Sequence, residues 1–194
     1  MTPPVEKQLV VGVTGSIACY RTCDLVSSLR KEPGLNVRVV MTQEATRFVT
    51  PLTFQTLSGN KAYSDLFEVP EEWDLVHTSL SASADLVLVC PATLNLIGKL
   101  ANGICDDLLS CILFATQAPV MLVPAMNGRM YEHPVTQKNV AELKRLGYEF
   151  VGPIQGEMAC REIGMGHIAD NSTIETAVRR RLKRGGGKGK GHGR

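Results

Sequence analysis

Four short apolar runs constrain this chain more than any other feature. Leu9–Thr14 (LVVGVT), Val37–Thr42 (VRVVMT), Asp85–Cys90 (DLVLVC) and Val120–Pro124 (VMLVP) are rich in Val and Leu and are only five or six residues long. Their apolarity is continuous rather than alternating, as in strands buried on both faces of a parallel sheet. Between them, Ile17–Lys31, Thr93–Asn102, Asp106–Thr116 and Pro134–Leu146 carry helical spacing. Pro134 suits a first helical turn and Gly147 the end of that helix. Strand–helix alternation with short connections predicts one three-layer, doubly wound α/β domain with a parallel sheet, Rossmann-like and flavodoxin-like.

Composition agrees with this frame and removes other classes. At 194 residues, with 44% hydrophobic and 21% charged side chains, the chain is long enough for one real core and is not a disordered protein. No apolar run approaches the ~18–20 residues of a membrane span. The N-terminus has no basic segment leading into a long apolar one, so a secretory signal is not expected. Six cysteines lie scattered through predicted helices and strands, which fits reduced thiols in a cytoplasm. No pair of Cys and His has C-x-x-C or H-x-x-x-H spacing, so no metal site is expected.

The net charge of +2 hides an asymmetry. The last sixteen residues carry eight of the 21 basic side chains and no acid, which leaves 13 basic against 19 acidic side chains, a net −6, for residues 1–178. A body of that sign shows no footprint for nucleic acid. The basic stretch reads as a solvated end, and residues 185–194 as a disordered Gly-rich tail following a domain at 1–184.

Four segments fall where an open α/β sheet places ligands, beyond the carboxyl ends of strands. In Val11–Ala18 (VGVTGSIA) a buried strand runs into Gly15-Ser16 and a helix starts at once, a geometry suited to a phosphate monoester. It is neither G-x-G-x-x-G nor a Walker loop, and Ser16 serves equally well as a helix cap. Thr42, with Phe48 shortly after, ends the second strand, where Thr is also a common cap. In Cys90-Pro-Ala-Thr-Leu-Asn-Leu the small Ala92 and Thr93 would let a flat ring approach the backbone, and Asn95 offers a donor and an acceptor. Pro124-Ala-Met-Asn-Gly-Arg-Met repeats the device with Asn127, which could also be a plain turn residue.

Two ionisable residues stand out. His77, in EEWDLVHTSL, has a side chain suited to proton transfer near neutrality, although a lone His is commonly a surface or core residue. Cys160 lies in the glycine-punctuated GEMACREIGMG, a predicted loop, whereas Cys90 and Cys111 read as core packing.

Taken together, Gly15-Ser16-Ile17-Ala18, Thr42 with Phe48, His77, Pro91-Ala-Thr-Leu-Asn95, Gly103-Ile-Cys-Asp-Asp-Leu-Leu109, Pro124-Ala-Met-Asn127 with Met130, and Ala159-Cys160 resemble the homo-oligomeric flavin-containing cysteine decarboxylases. They occur in family order over roughly residues 8–180. The resemblance implies FMN, held at its phosphate by Gly15, Ser16, Ile17 and Thr42, with Phe48 also a cofactor contact. Ala92, Thr93, Leu94, Asn95, Ala125 and Met126 would lie near its ring. It implies His77 as base, Cys160 on a flap as acid, and Asn127, Met130 and Arg161 as substrate contacts. It further implies homotrimers, or dodecamers made of four of them, with the active site between subunits.

The substrate so implied is 4′-phosphopantothenoylcysteine, converted to 4′-phosphopantetheine in coenzyme A biosynthesis. The alternatives are the C-terminal cysteine of a peptide, or a non-catalytic, electron-transferring FMN protein. Joint retention of His77, Asn127 and Cys160 speaks against the last. Two departures stand out: Arg161 replaces a glycine that usually follows the flap cysteine, and His167-Ile168 stands where some relatives have Arg-Met. With no length for a second, fused enzyme domain, the chain is expected to act alone.

Overall fold

The computed structural model describes residues 6–67, 76–157, 161 and 163–185. Six parallel strands form the central sheet: β1 (Lys7–Val13), β2 (Leu35–Met41), β3 (Ala62–Tyr63), β4 (Leu86–Ala92), β5 (Val120–Pro124) and β6 (Glu149–Phe150). The four long strands are the four apolar runs. Their spatial order is β3-β2-β1-β4-β5-β6. Counted in full this is the order of dinucleotide-binding sheets. Without the two-residue β3 it is that of flavodoxins, so both expected descriptions name one sheet. The order reverses between β1 and β4, and their carboxyl ends therefore diverge around a crevice.

Strand alternation splits the core in two. Leu9, Val11 and Val13 of β1 and Leu86, Leu88 and Cys90 of β4 pack on one face with α1 (Cys19–Leu29), α2 (Pro51–Ser58) and α8 (Asn171–Gly185). Val10, Val87 and Val89 point the other way, against α4 (Leu94–Ala101), α5 (Leu108–Ala115) and α7 (Pro134–Arg145), with Leu80 of α3 (Val76–Ser83). Each such side chain, fully buried, contributes about 1.5–3 kcal/mol. A five-residue α6 (Gly128–Glu132) follows β5, and an antiparallel hairpin, β7 (Ile154–Glu157) with β8 (Ile163–His167), leans beside it.

Local chemistry sets the helix ends. Pro134 opens α7, and Gly147 follows it with φ 94°, the left-handed region that ends helices. Asp107 caps α5 through Ser110 N–H at 2.7 Å, while the Ser110 hydroxyl accepts from Asp107 N–H at 3.1 Å. The basic stretch starts inside α8 rather than in a tail: Arg179 pairs with Glu32 and Glu175, and Arg181 with Glu149. Among the described residues no helix is long and apolar enough to cross a membrane.

Candidate active site

The crevice between β1 and β4 is clasped by one buried hydroxyl. Thr14 Oγ1 donates to Pro91 C=O at 2.7 Å and accepts from Thr93 N–H at 3.0 Å, tying the two strand ends together. Above this clasp lies a cleft of about 320 Å³ lined by Gly15, Ser16, Thr42, Thr93, Leu94, Asn95, Ala125, Met126 and Met130, among others. Segments from Thr14 to Met130, far apart in sequence, thus converge there.

The cleft suits a phosphate-bearing ring. Gly15 passes so close to the next loop that a Cβ would collide with the Cβ of Glu44, so only glycine fits. Ser16 is not the cap of α1, which begins at Cys19 after Ala18. Its hydroxyl oxygen accepts from Ala18 N–H at a long 3.3 Å, and Thr42 Oγ1 accepts from Ala45 N–H at 3.4 Å. Both exceed the usual 2.7–3.2 Å range, so either hydroxyl can turn to a phosphate oxygen at little cost. Thr93 caps α4 without a side-chain bond, and Asn95 stands exposed in the first turn of that helix.

Lys99 closes the far wall. Its ammonium lies 2.6 Å from Asp106 and 2.7 Å from Asp107. Burial pushes the Asp107 carboxyl up, but Lys99 and the Ser110 donors together more than reverse this and hold it below the ordinary carboxylate range. Burial likewise pulls the Lys99 ammonium down, and the two carboxylates outweigh it.

A second cleft of about 510 Å³ shares Ser16, Ala125 and Met126 with the first. Ile17, Tyr20 and Arg21 of the β1–α1 side, Asn127, and Glu157, Gly166 and His167 of the hairpin complete it. Asn127 caps α6, its Oδ1 accepting from Arg129 N–H at 2.9 Å. Gly166 seats the hairpin: its C=O accepts from Met126 N–H at 3.1 Å, and a Cβ there would strike the Met126 carbonyl. Arg21 donates to His167 Nε2 at 3.0 Å and bonds Asp170 at 3.1 Å.

Several expectations need correction. Ala92 is fully buried beneath the cleft, where its C=O accepts from Ala125 N–H at 3.2 Å, and it does not line the cavity. Phe48 is exposed beyond a short 3-10 turn and is not among the lining residues. Ile17 lines the second cleft instead of the first. His77 lies in neither. It lines a groove on the amino-terminal edge of the sheet with Lys7, Asp85 and Arg181. Arg161 adopts φ 63°, in the left-handed region that favours glycine, with its side chain exposed. Cys160 lies outside the described residues.

Lys99, Thr14, Gly166 and the Arg21–His167 contact were missed from sequence. Lys99 had a signal, since it is four residues after Asn95 and so shares its helix face. Among the described residues no cluster of His, Cys, Asp and Glu could hold a metal ion.

A doubly wound sheet with this cleft at its switch point defines an α/β protein whose ligand site lies beyond the carboxyl ends of its strands. The chain belongs to the Flavoprotein family, whose model matches residues 2–183, and the ligand class is therefore a flavin. It is 44% identical over 169 residues to the coenzyme A biosynthesis bifunctional protein CoaBC of Bacillus subtilis, covering 87% of this chain and 41% of that protein. The chain thus spans about two fifths of that relative. It is 38% identical over 180 residues to a probable phosphopantothenoylcysteine decarboxylase of Streptococcus mutans, covering 92% of this chain and all of that one. Among solved structures, a PPC decarboxylase mutant complexed with pantothenoylaminoethenethiol superposes with a TM-score of 0.84 at 27% identity, over 92% of this chain and 99% of that one. The FMN binding protein AtHal3 superposes at 0.81 with 28% identity, over 92% and 98%.

Proposed function

We propose that this protein uses FMN to decarboxylate 4′-phosphopantothenoylcysteine to 4′-phosphopantetheine, a carboxy-lyase step of coenzyme A biosynthesis in the cytoplasm. The observation that carries this reading is the shared wall of the two clefts. Ser16, Ala125 and Met126 belong to both, so a substrate held by Asn127 would lie against a flavin held by Ser16, Thr42 and Asn95. Similarity along the whole length of the Streptococcus mutans decarboxylase supports the substrate.

A carboxylate on an amide-bearing carbon has no electron sink, so direct loss of CO2 is slow. When bound, FMN supplies reversible hydride acceptance at the thiol-bearing carbon, which gives the substrate a thioaldehyde sink and leaves the whole cycle redox-neutral. The protein's part is orientation and proton traffic. Asn127, fixed through its bond to Arg129 N–H, aligns the substrate carboxylate. Met130, which lines the first cleft, would meet the substrate from that side, and Arg161 from the flap. His77 takes the thiol proton, and Cys160 returns a proton after CO2 has left.

His77 lines a groove away from its own chain's clefts, and this supports a site completed by a neighbouring copy in a homotrimer or a dodecamer. Incubation of the purified protein with phosphopantothenoylcysteine, followed by mass spectrometry, tests the reading. Loss of CO2 from that substrate, and not from a peptide ending in cysteine, is expected. Flavin-loaded protein that leaves phosphopantothenoylcysteine intact overturns it.

A further inference from the structure

Beyond the cofactor and substrate clefts, the structure brings one pair of reactive side chains together that the proposed chemistry does not use. The loop from α4 to α5 turns at Gly103, φ 72°, where Ile104 N–H reaches back to Lys99 C=O at 3.0 Å. Two residues later Cys105 is exposed, and its Sγ lies 3.2 Å from Sγ of Cys111. A disulfide needs its sulfurs at about 2.05 Å, so closure asks little more than one ångström of movement.

We propose that Cys105 and Cys111 form a reversible oxidation site that closes to an intramolecular disulfide by exchange with a low-molecular-weight disulfide.

The two thiols have unlike settings, and exchange requires that. Cys105 sits in the loop and meets solvent. Cys111 is the fourth residue of α5, its N–H bonded to Asp107 C=O at 3.0 Å, so its sulfur is fixed by the helix. Burial and the neighbouring Cys105 sulfur push its thiol up to about 11. The thiolate of Cys105 therefore attacks first. It breaks the S–S bond of the oxidant, forms a mixed disulfide and releases one thiolate. Cys111 then gives its proton to water, and its sulfur displaces the second thiolate from Cys105. Two protein thiols and one small disulfide become one protein disulfide and two small thiols. Cys90, by contrast, is wholly buried and held up to about 12 by that burial, and is out of reach of such reagents.

The location gives the closure a target. Asp106 and Asp107, between the two cysteines, grip Lys99, and Lys99 and Asp107 line the first cleft. The bond staples the α5 start, where this grip is built, from three residues before its first turn to the end of that turn.

The test treats the purified, flavin-containing protein with oxidised glutathione, alkylates residual thiols, and weighs the peptide holding both cysteines. The expected peptide is two hydrogens lighter, takes no alkyl group at either position, and reverts on addition of dithiothreitol. In Cys111→Ser the glutathione adduct on Cys105 should accumulate, and in Cys105→Ser neither product should form. A wild-type Cys105 that stays alkylatable, that keeps glutathione, or that links two chains on a non-reducing gel overturns the proposal.

Discussion

The two ends of the sheet are built differently. At the carboxyl end, the cleft is walled by glycine, small side chains and hydroxyls whose internal hydrogen bonds are long: Ser16 to Ala18 at 3.3 Å and Thr42 to Ala45 at 3.4 Å. At the amino end, the groove holding His77 is walled by charged side chains that are already engaged, Lys7 with Asp85 and Arg181 with Glu149. Paired charges occur at both ends, since Lys99 and Asp107 line the first cleft; the weakly spent Ser16 and Thr42 hydroxyls are what suit that cleft to a ligand. The proposed base lies at the amino end. Under the proposed function, one copy of the chain would hold the cofactor cleft but not the whole reaction centre.

The most direct way to break this comparison is to separate the two ends by mutation. His77→Asn should retain flavin and assembly and lose about 10²–10⁴ of turnover, the usual scale for a general base. Asn127→Asp should be similarly inactive. Mixed and re-associated, the two variants should regain part of the wild-type rate, because some sites then combine an intact His77 with an intact Asn127 from another copy. Steady-state assays of the mixture decide this. No recovery despite proven exchange of subunits would place both residues in one chain's site.

At the carboxyl end, Gly15→Ala brings a Cβ against Glu44. Overpacking of this kind costs about 1–3 kcal/mol, so flavin affinity by fluorescence titration should fall about ten-fold or more while the fold survives. An unchanged affinity would mean that the β1–α1 turn does not shape the cleft.

Thr14→Val sharpens the same point through stability. It leaves Pro91 C=O and Thr93 N–H without their buried partner, at a cost of about 1–3 kcal/mol in denaturant unfolding. Thr22→Val, which removes the hydroxyl that donates to Cys90 C=O at 2.9 Å, is the matched control outside the cleft. A smaller loss of stability is expected for Thr22, which orphans one backbone group where Thr14 orphans two, with loss of flavin affinity only for Thr14.

A smaller effect concerns pH. Asp107 is held below its unfolded range, so its contribution is fully present above about pH 4 and fades as the pH falls through the folded value. Asp107→Asn should therefore flatten the acid limb of the stability profile, measured by melting temperature between about pH 2 and 5. Smallest of all, Arg161→Gly removes a left-handed, non-glycine residue that costs about 1 kcal/mol. Stability should hold or rise slightly, and a clear drop in melting temperature would show that the Arg161 side chain has a structural partner.

The layer architecture and the four long strands were legible in the sequence, because buried parallel strands need continuous apolar runs and the winding rule then puts their carboxyl ends together. Gly15, Thr42, Asn95 and Asn127 could be singled out for the same reason. The two Pro-Ala segments, read as turns, are instead strand ends, Pro91-Ala92 closing β4 and Pro124 closing β5. Helix boundaries were off by one or two residues where local turns intervened, as at Ser16–Ala18, where Ala18 rather than Ser16 became the cap. The stretch Gly156–Gly166 was read as a loop although it holds part of both hairpin strands, since short, glycine-rich and largely exposed strands lack the continuous apolar run that marks the central sheet.

Other features only the tertiary structure decided. That Thr14 bridges β1 and β4, that Ala92 lies beneath the cleft instead of lining it, and that Gly166 seats the hairpin on Met126 all depend on which backbones meet across the sheet. No pattern along the chain encodes such approaches. His77 shows the difference most clearly. Its residue type announced a proton-transfer role, but type fixes only what a side chain can do, while packing of the sheet's two ends fixes where it can do it.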